Sequence, residues 1–153
     1  MHKAAIVVVA MGLALASAGT VQGAEKAVVG TAGIFRAAEL GDAKAQTAIG
    51  FMHETGRGLP QDYMLAVAWY RRAAEQGYPR AQFLLGLMFN KGQGVAEDYV
   101  VAHTWLNLAA AAAGPRDREY YIRIRDALAY KMTVAQITEA QWRARHWRPM
   151  PER

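Results

Sequence analysis

The sequence predicts an all-α protein built as a helical repeat array, and three observations predict it. The chain writes one unit of 36 residues twice, as residues 37–72 and 73–108. Ala37, Ala38, Glu39 and Gly41 superpose on Ala73, Ala74, Glu75 and Gly77; Ala45, Gln46, Gly50, Met52, Gly56 and Gly58 superpose on Ala81, Gln82, Gly86, Met88, Gly92 and Gly94. Asp62, Tyr63, Ala66 and Trp69 then fall on Asp98, Tyr99, Ala102 and Trp105. Average composition would give about two or three such identities, and a fixed period of this size marks units that bury their faces against one another. The second observation is apolar spacing at helical period inside each unit. The third is punctuation: glycine and aspartate recur where helices would end and begin.

The chain opens with Met1-His2-Lys3, a basic start, and the apolar run Ala4 to Ala16. That run is shorter than the roughly 20 residues a bilayer-spanning helix needs. It ends at Ala16-Ser17-Ala18, with Val21-Gln22-Gly23 as a second small-residue cleavage pattern. Residues 1–23 therefore read as a secretory signal, and the expected product is exported, periplasmic or secreted, with no transmembrane span. With no cysteine in the chain, disulfides, thiolate metal sites and lipid-modified cysteines are excluded. Residues 24–113 hold equal numbers of basic and acidic residues, so the excess positive charge lies in residues 114–153, with nine basic against five acidic.

Residues 24–41 read as a linker and an N-terminal half-repeat, a short helix from Ile34 to Leu40 ended by Gly41. The two repeats then occupy 42–114. In the first, Ala45, Ile49 and Met52 share a helix face over 43–55, and Gly56-Arg57-Gly58 ends the helix. Gly50 costs about 1 kcal/mol of helix propensity relative to alanine, and its recurrence as Gly86 predicts a neighbouring helix too close for a Cβ. Asp62 caps a second helix running to about Gln76, with Ala66, Trp69, Tyr70 and Ala73 on one face. The second unit repeats the plan: a helix from Pro79 to Lys91, a turn at Gly92-Gln93-Gly94, a cap at Asp98, and a helix from Tyr99 to Ala112.

After five alanines, Gly114-Pro115 stops the helix, and residues 115–153 form a C-terminal cap with a basic tail. Asp117 to Lys131 reads as a helix with Tyr121, Ile124 and Leu128 on one face. Thr133 with Gln136 is a capping box opening a last helix with the stripe Ile137, Ala140, Ala144 and Trp147. Two units alone are marginal, since about three repeats are normally needed; the half-repeat and the C-terminal helix pair supply the missing neighbours.

These residues carry a resemblance. The pattern A-x-x-x-G-x-x-x-A-Q-x-x-[IL]-G, followed by G-x-G-[LV], D-Y, A and W, resembles the Sel-one-like repeat (SLR) family, relatives of the tetratricopeptide repeats, over residues 37–114. The segments Trp105-Leu106-Asn107-Leu108-Ala109 and Arg125-Asp126-Ala127-Leu128-Ala129 resemble the closing part of bacterial members. The resemblance implies a right-handed α-solenoid of paired antiparallel helices, about seven in all, acting as an adaptor for a protein or peptide partner. One departure is His53, where the second unit keeps the usual aromatic, Phe89.

Catalysis is not expected. Beyond residue 23 there is neither serine nor cysteine, so the commonest nucleophiles are missing. His53, His103 and His146 show no metal-ligand spacing, and the Gly-x-Gly turns follow helices, unlike phosphate loops. No cofactor, metal or nucleic acid is implied. If the first helix of each unit lines a concave groove, as in the tetratricopeptide-like families, then Phe51, Glu54, Phe83, Leu87 and Asn90 are the candidate partner contacts. Their other reading is filler between helices. In the tail, Trp142 lies outside the packing stripe, near Arg143, Arg145 and His146, and this group is the candidate contact for an anionic glycan or lipid at an envelope surface.

Overall fold

A computed structural model of the chain describes residues 30–151. The expected signal at 1–23 and the first part of the linker lie outside the described residues.

Helix α1, described over residues 30–39, takes in Gly30 and Thr31, which the sequence also offers as a helix start, ahead of Ile34, and ends in a turn at Gly41, whose φ is 93°. Helices α2 (Ala43–Thr55) and α3 (Tyr63–Glu75) form the first unit, and α4 (Pro79–Lys91) and α5 (Tyr99–Ala112) the second. Asp42, Asp62 and Asp98 each accept a hydrogen bond at the helix N-terminus, from the backbone N–H of Ala45, Leu65 and Val101 at 2.7, 3.0 and 2.9 Å. Gly56 and Gly92 end α2 and α4 in the left-handed conformation, at φ 71° and 64°. Helix α6 (Pro115–Ala129) begins two residues before the expected Asp117, because Pro115 fits the first helical position without needing its N–H. The capping box of Thr133 and Gln136 opens α7 (Val134–His146).

Each helix packs against the next from α2 to α6, so the described residues form an α-solenoid. The mid-helix glycines are the contact points within the units. A Cβ on Gly50 would lie 2.6 Å from the Tyr70 ring, and one on Gly86 would lie 3.0 Å from Leu106 Cγ and 3.1 Å from the Ala102 carbonyl oxygen. Between units the repeated glutamine makes the joint. Gln46 Nε2 donates to the Ala38 carbonyl at 3.1 Å, and Gln82 Nε2 donates to the Ala74 carbonyl at 3.2 Å. Each reaches back into the preceding helix and satisfies a carbonyl near its C-terminal end.

The end of the chain departs from the expected helix pair. Helices α6 and α7 both pack on α5 and make little contact with each other. Thr104 and Ala140 meet along the α5–α7 contact, where Thr104 Oγ1 lies 3.4 Å from the Ala140 carbonyl. Trp147 meets Trp105 edge to face at 6.1 Å, and the backbone N–H of Met150 donates to the Glu75 carbonyl at 2.8 Å. The tail thus returns to the C-terminus of α3 and ties the second half of the chain to the first.

Candidate functional site

The five residues expected on a concave face separate in the structure. Phe51 is 37% exposed and borders a hollow of about 280 Å³ between α2 and the start of α4, with Lys44, Thr47, Tyr78 and Arg80 around it. Glu54 is half-buried and committed to its own unit, since its carboxylate accepts a 2.6 Å hydrogen bond from the Tyr70 hydroxyl. Burial, and then that bond, push the Tyr70 hydroxyl far above its ordinary value, so it stays a donor.

Phe83 is not an exposed groove contact. It is buried, and its ring stacks on Tyr121 of α6 at 4.2 Å with Tyr120 at 5.5 Å. The physical reason lies in the repeat register. Thr47 is the equivalent position in the first unit, and a threonine leaves the α2–α4 hollow open where a phenylalanine fills the α4–α6 one. Leu87, the equivalent of Phe51, is half-buried against the same α4–α6 cluster. Asn90, the equivalent of Glu54, is half-buried with its Oδ1 lacking any hydrogen-bond partner among the described residues.

The four tail residues divide as well. Trp142 is 51% exposed and stacks on the His146 ring at 4.3 Å, while His146 Nδ1 lies 2.8 Å from the Trp142 carbonyl oxygen. Arg143 is paired with Glu139 at 2.7 Å. These three border a shallow hollow with Thr104, Trp105 and Trp147. Arg145 faces the other side of α7.

There it meets a feature that the sequence reading missed. Because α6 and α7 flank α5 without closing on each other, they leave an open trough of about 600 Å³. Leu108, Ala110 and Ala111 of α5 form its floor, Ile122 and Ala144 flank it, and Arg118, Arg125 and Arg145 stand along its walls. Arg118 Nε donates to the Ala113 carbonyl at 3.1 Å. Arg125 holds Asp126 at 2.7 Å and Asn107 Oδ1 at 3.4 Å, and Asn107 Nδ2 lies 3.0 Å from His103 Nδ1. Burial first, and then the Arg125 charge, lower the His103 pKa, with Asp126 opposing. The basic count of residues 114–153 was the available signal. What it could not give was that helix α7 would bypass α6.

No helix among the described residues is long and apolar enough to cross a membrane, and no group of three or more histidine, cysteine, aspartate or glutamate side chains there could hold a metal ion.

The comparisons with known proteins follow the same lines. The Sel1 repeat family model matches residues 43–78 and 79–113. A Sel1 repeat protein from Oxalobacter formigenes is 40% identical over 59% of this chain and 68% of its own, with a TM-score of 0.54. A protective antigen of uropathogenic Escherichia coli that displays an SLR fold is 30% identical over 76% of this chain, with a TM-score of 0.70. This chain spans 24% of that antigen's length. A search of the curated proteins finds no match.

Proposed function

The chain belongs to the Sel1 repeat family, and from that premise we propose that it is an exported, non-enzymatic scaffold that binds a protein or peptide partner on the concave face of its solenoid. One observation carries the reading: the open hollow at Phe51, where an exposed aromatic ring borders the same space as two cations, Lys44 and Arg80. Aromatic side chains and arginine are both enriched at protein interfaces over the rest of the surface. Phe83 has no direct part in that surface; it is the joint that holds α6 in place.

The test is site-specific photo-crosslinking in cells from position 51, with Phe51→Asp/Leu87→Asp as the competitor protein. A discrete crosslinked partner that the double variant fails to retain is the expected result. A variant that keeps every partner would overturn the concave-face reading. Export is tested separately, by fractionating cells that express the chain with and without residues 1–23. Full-length product confined to the cytoplasm would overturn that part.

A second reading places an anionic glycan or lipid on the basic C-terminal helices. It draws support from the exposed Trp142 and loses some to the geometry, since Arg143 is paired with Glu139 and Arg145 lies on the opposite side of α7.

A further inference from the structure

We propose that the trough over α5, between α6 and α7, is a second docking site, and that its occupant is an acidic peptide segment of a partner protein. The inference rests on the scaffold reading and deepens it, by adding a site and a ligand chemistry distinct from the Phe51 hollow.

Charge complementarity carries it first. Arg118, Arg125 and Arg145 border the trough, and among the described residues no carboxylate does. Only Arg125 has a carboxylate within ion-pair distance, its sequence neighbour Asp126; Arg118 and Arg145 have none among the described residues. Guanidinium groups bind carboxylates through paired, charge-assisted hydrogen bonds. Two of them are already held in place, Arg118 by the Ala113 carbonyl and Arg125 by Asp126 and Asn107. Holding them before binding lowers the entropy lost on association.

The floor gives the shape of the ligand. The alanine run removes side-chain bulk from α5 along this face, so the trough is shallow, open and apolar between its basic walls. Its volume of about 600 Å³ falls in the range of formed ligand sites. A small anion would leave the Leu108–Ala111–Ile122 floor wet. A ligand with apolar side chains between carboxylates covers the floor and reaches both walls.

The polar lining separates a peptide from an acyl chain. Gln141 borders the trough, and its amide has no partner among the described residues. An amide of this kind pairs with a peptide backbone, which offers both a donor and an acceptor. Gln141 is exposed, so water serves its amide in the free chain, and a hydrocarbon tail would displace that water without replacing its hydrogen bonds.

The experiment uses the full chain and a fluorescently labelled peptide of alternating glutamate and leucine, with binding read by anisotropy. A peptide of alternating glutamine and leucine is the charge control, and phosphatidylglycerol vesicles and inorganic phosphate are the alternative anions. The acidic peptide is expected to bind, and to bind less well as salt rises. Arg118→Gln with Arg145→Gln should weaken it roughly a hundredfold, the loss of two charge-assisted contacts. Ala111→Trp, at an exposed floor position, should block the trough while leaving the melting temperature near that of the parent. Phe51→Asp should leave binding intact. The inference is overturned if the acidic peptide does not bind, if the glutamine peptide binds equally, if the trough variants bind as the parent does, or if only vesicles or phosphate bind. Binding that survives the trough variants and is lost in Phe51→Asp removes the trough and keeps the scaffold reading; binding lost in the trough variants and kept in Phe51→Asp is the expected result, and the concave-face reading then stands or falls on crosslinking from position 51.

Discussion

The two repeats follow one plan, and the second keeps it less completely. Both units hold a glutamine that hydrogen-bonds back into the preceding helix, through Gln46 to Ala38 and through Gln82 to Ala74. In the first unit the other end of that amide is also used, since Gln76 Nε2 donates to Gln46 Oε1 at 2.8 Å. In the second unit the residue equivalent to Gln76 is Ala112, and Gln82 Oε1 is buried with no partner among the described residues. The same loss recurs at the next-to-last residue of each unit's first helix. Tyr70 satisfies Glu54, but its equivalent is Leu106, and the equivalent acceptor, Asn90 Oδ1, is left alone. Both buried unpaired side-chain acceptors of the described residues thus sit in the second unit, each opposite a donor that only the first unit kept. The lesson is that the backbone plan tolerates a lost polar pair where the hydrophobic joint is strengthened. Phe83 and Tyr121 supply that joint where the first unit has Thr47 and an open hollow.

The comparison breaks most readily at the glycines. Gly86→Leu should destabilise by about 1–3 kcal/mol, because a full side chain must displace Leu106 and the α5 backbone. Gly50→Leu should cost more, since even a Cβ would lie 2.6 Å from the Tyr70 ring. Alanine separates the two further. Gly86→Ala meets atoms at 3.0–3.1 Å and regains about 1 kcal/mol of helix propensity, so its loss should be small beside that of Gly50→Ala. Thermal unfolding of the four variants checks the order; a Gly86→Leu protein that melts with the parent would break the α4–α5 packing described above.

A smaller effect sharpens the contrast in polar pairing. Tyr70→Phe removes a hydrogen bond to a half-buried carboxylate and should cost about 1.5 kcal/mol, the lower end for a bond to a charged group. The mirrored change has the opposite sign. Asn90→Met deletes an acceptor that has no partner, so it should be neutral or stabilising, whereas Glu54→Met should destabilise. Chemical denaturation of the pair decides it, and equal losses in both units would mean that Asn90 has a partner in solution.

Smaller again is the repair. Ala112→Gln places the first unit's donor opposite Gln82 Oε1 and should stabilise by about 0.5–1.5 kcal/mol, the net value of an ordinary hydrogen bond. Gln76→Ala, the reverse change in the first unit, should destabilise. If Ala112→Gln leaves the unfolding midpoint where it was, the orphaned acceptor is not the cost assigned to it.

What the sequence made legible was whatever local chemistry decides. The caps at Asp62 and Asp98, the left-handed glycines 56 and 92, the capping box at Thr133 and the close approach at Gly50 and Gly86 all follow from residues a few positions apart or from the repeat itself. The site was less legible, because side-chain exposure depends on which helix arrives from outside the unit. Phe83 reads as a groove residue until α6 brings Tyr121 onto it. Arg145 reads as a neighbour of Trp142 until α7 turns them to opposite sides. The trough had no local signal beyond an alanine run and scattered arginines, since it exists only because α7 packs on α5 instead of α6.

The least effect is expected from a buried histidine that only the second unit has at its position. Val67 in the first unit is replaced by His103 in the second, and His103 is 2% exposed. Arg125 Nη1 donates to Asn107 Oδ1, which fixes the amide so that Asn107 Nδ2 donates to His103 Nδ1 and the ring proton sits on Nε2. A second proton on Nδ1 would face that N–H, in a buried position beside the Arg125 charge. The His103 pKa is accordingly lowered below its ordinary 6.5, by burial first and Arg125 second, against the pull of Asp126. As pH falls the unfolded chain therefore takes up this proton before the folded one does. The stability linked to His103 is complete above pH 6.5 and is lost as pH falls from there toward the lower folded value. Melting temperatures of the parent and of His103→Val, which imports the first unit's residue, should diverge between about pH 7 and pH 5, where exposed carboxylates remain largely ionised in both proteins. The parent should lose more. Parallel curves would mean that the ring is protonated in the folded state without penalty, and the Arg125–Asn107–His103 chain would then be misassigned.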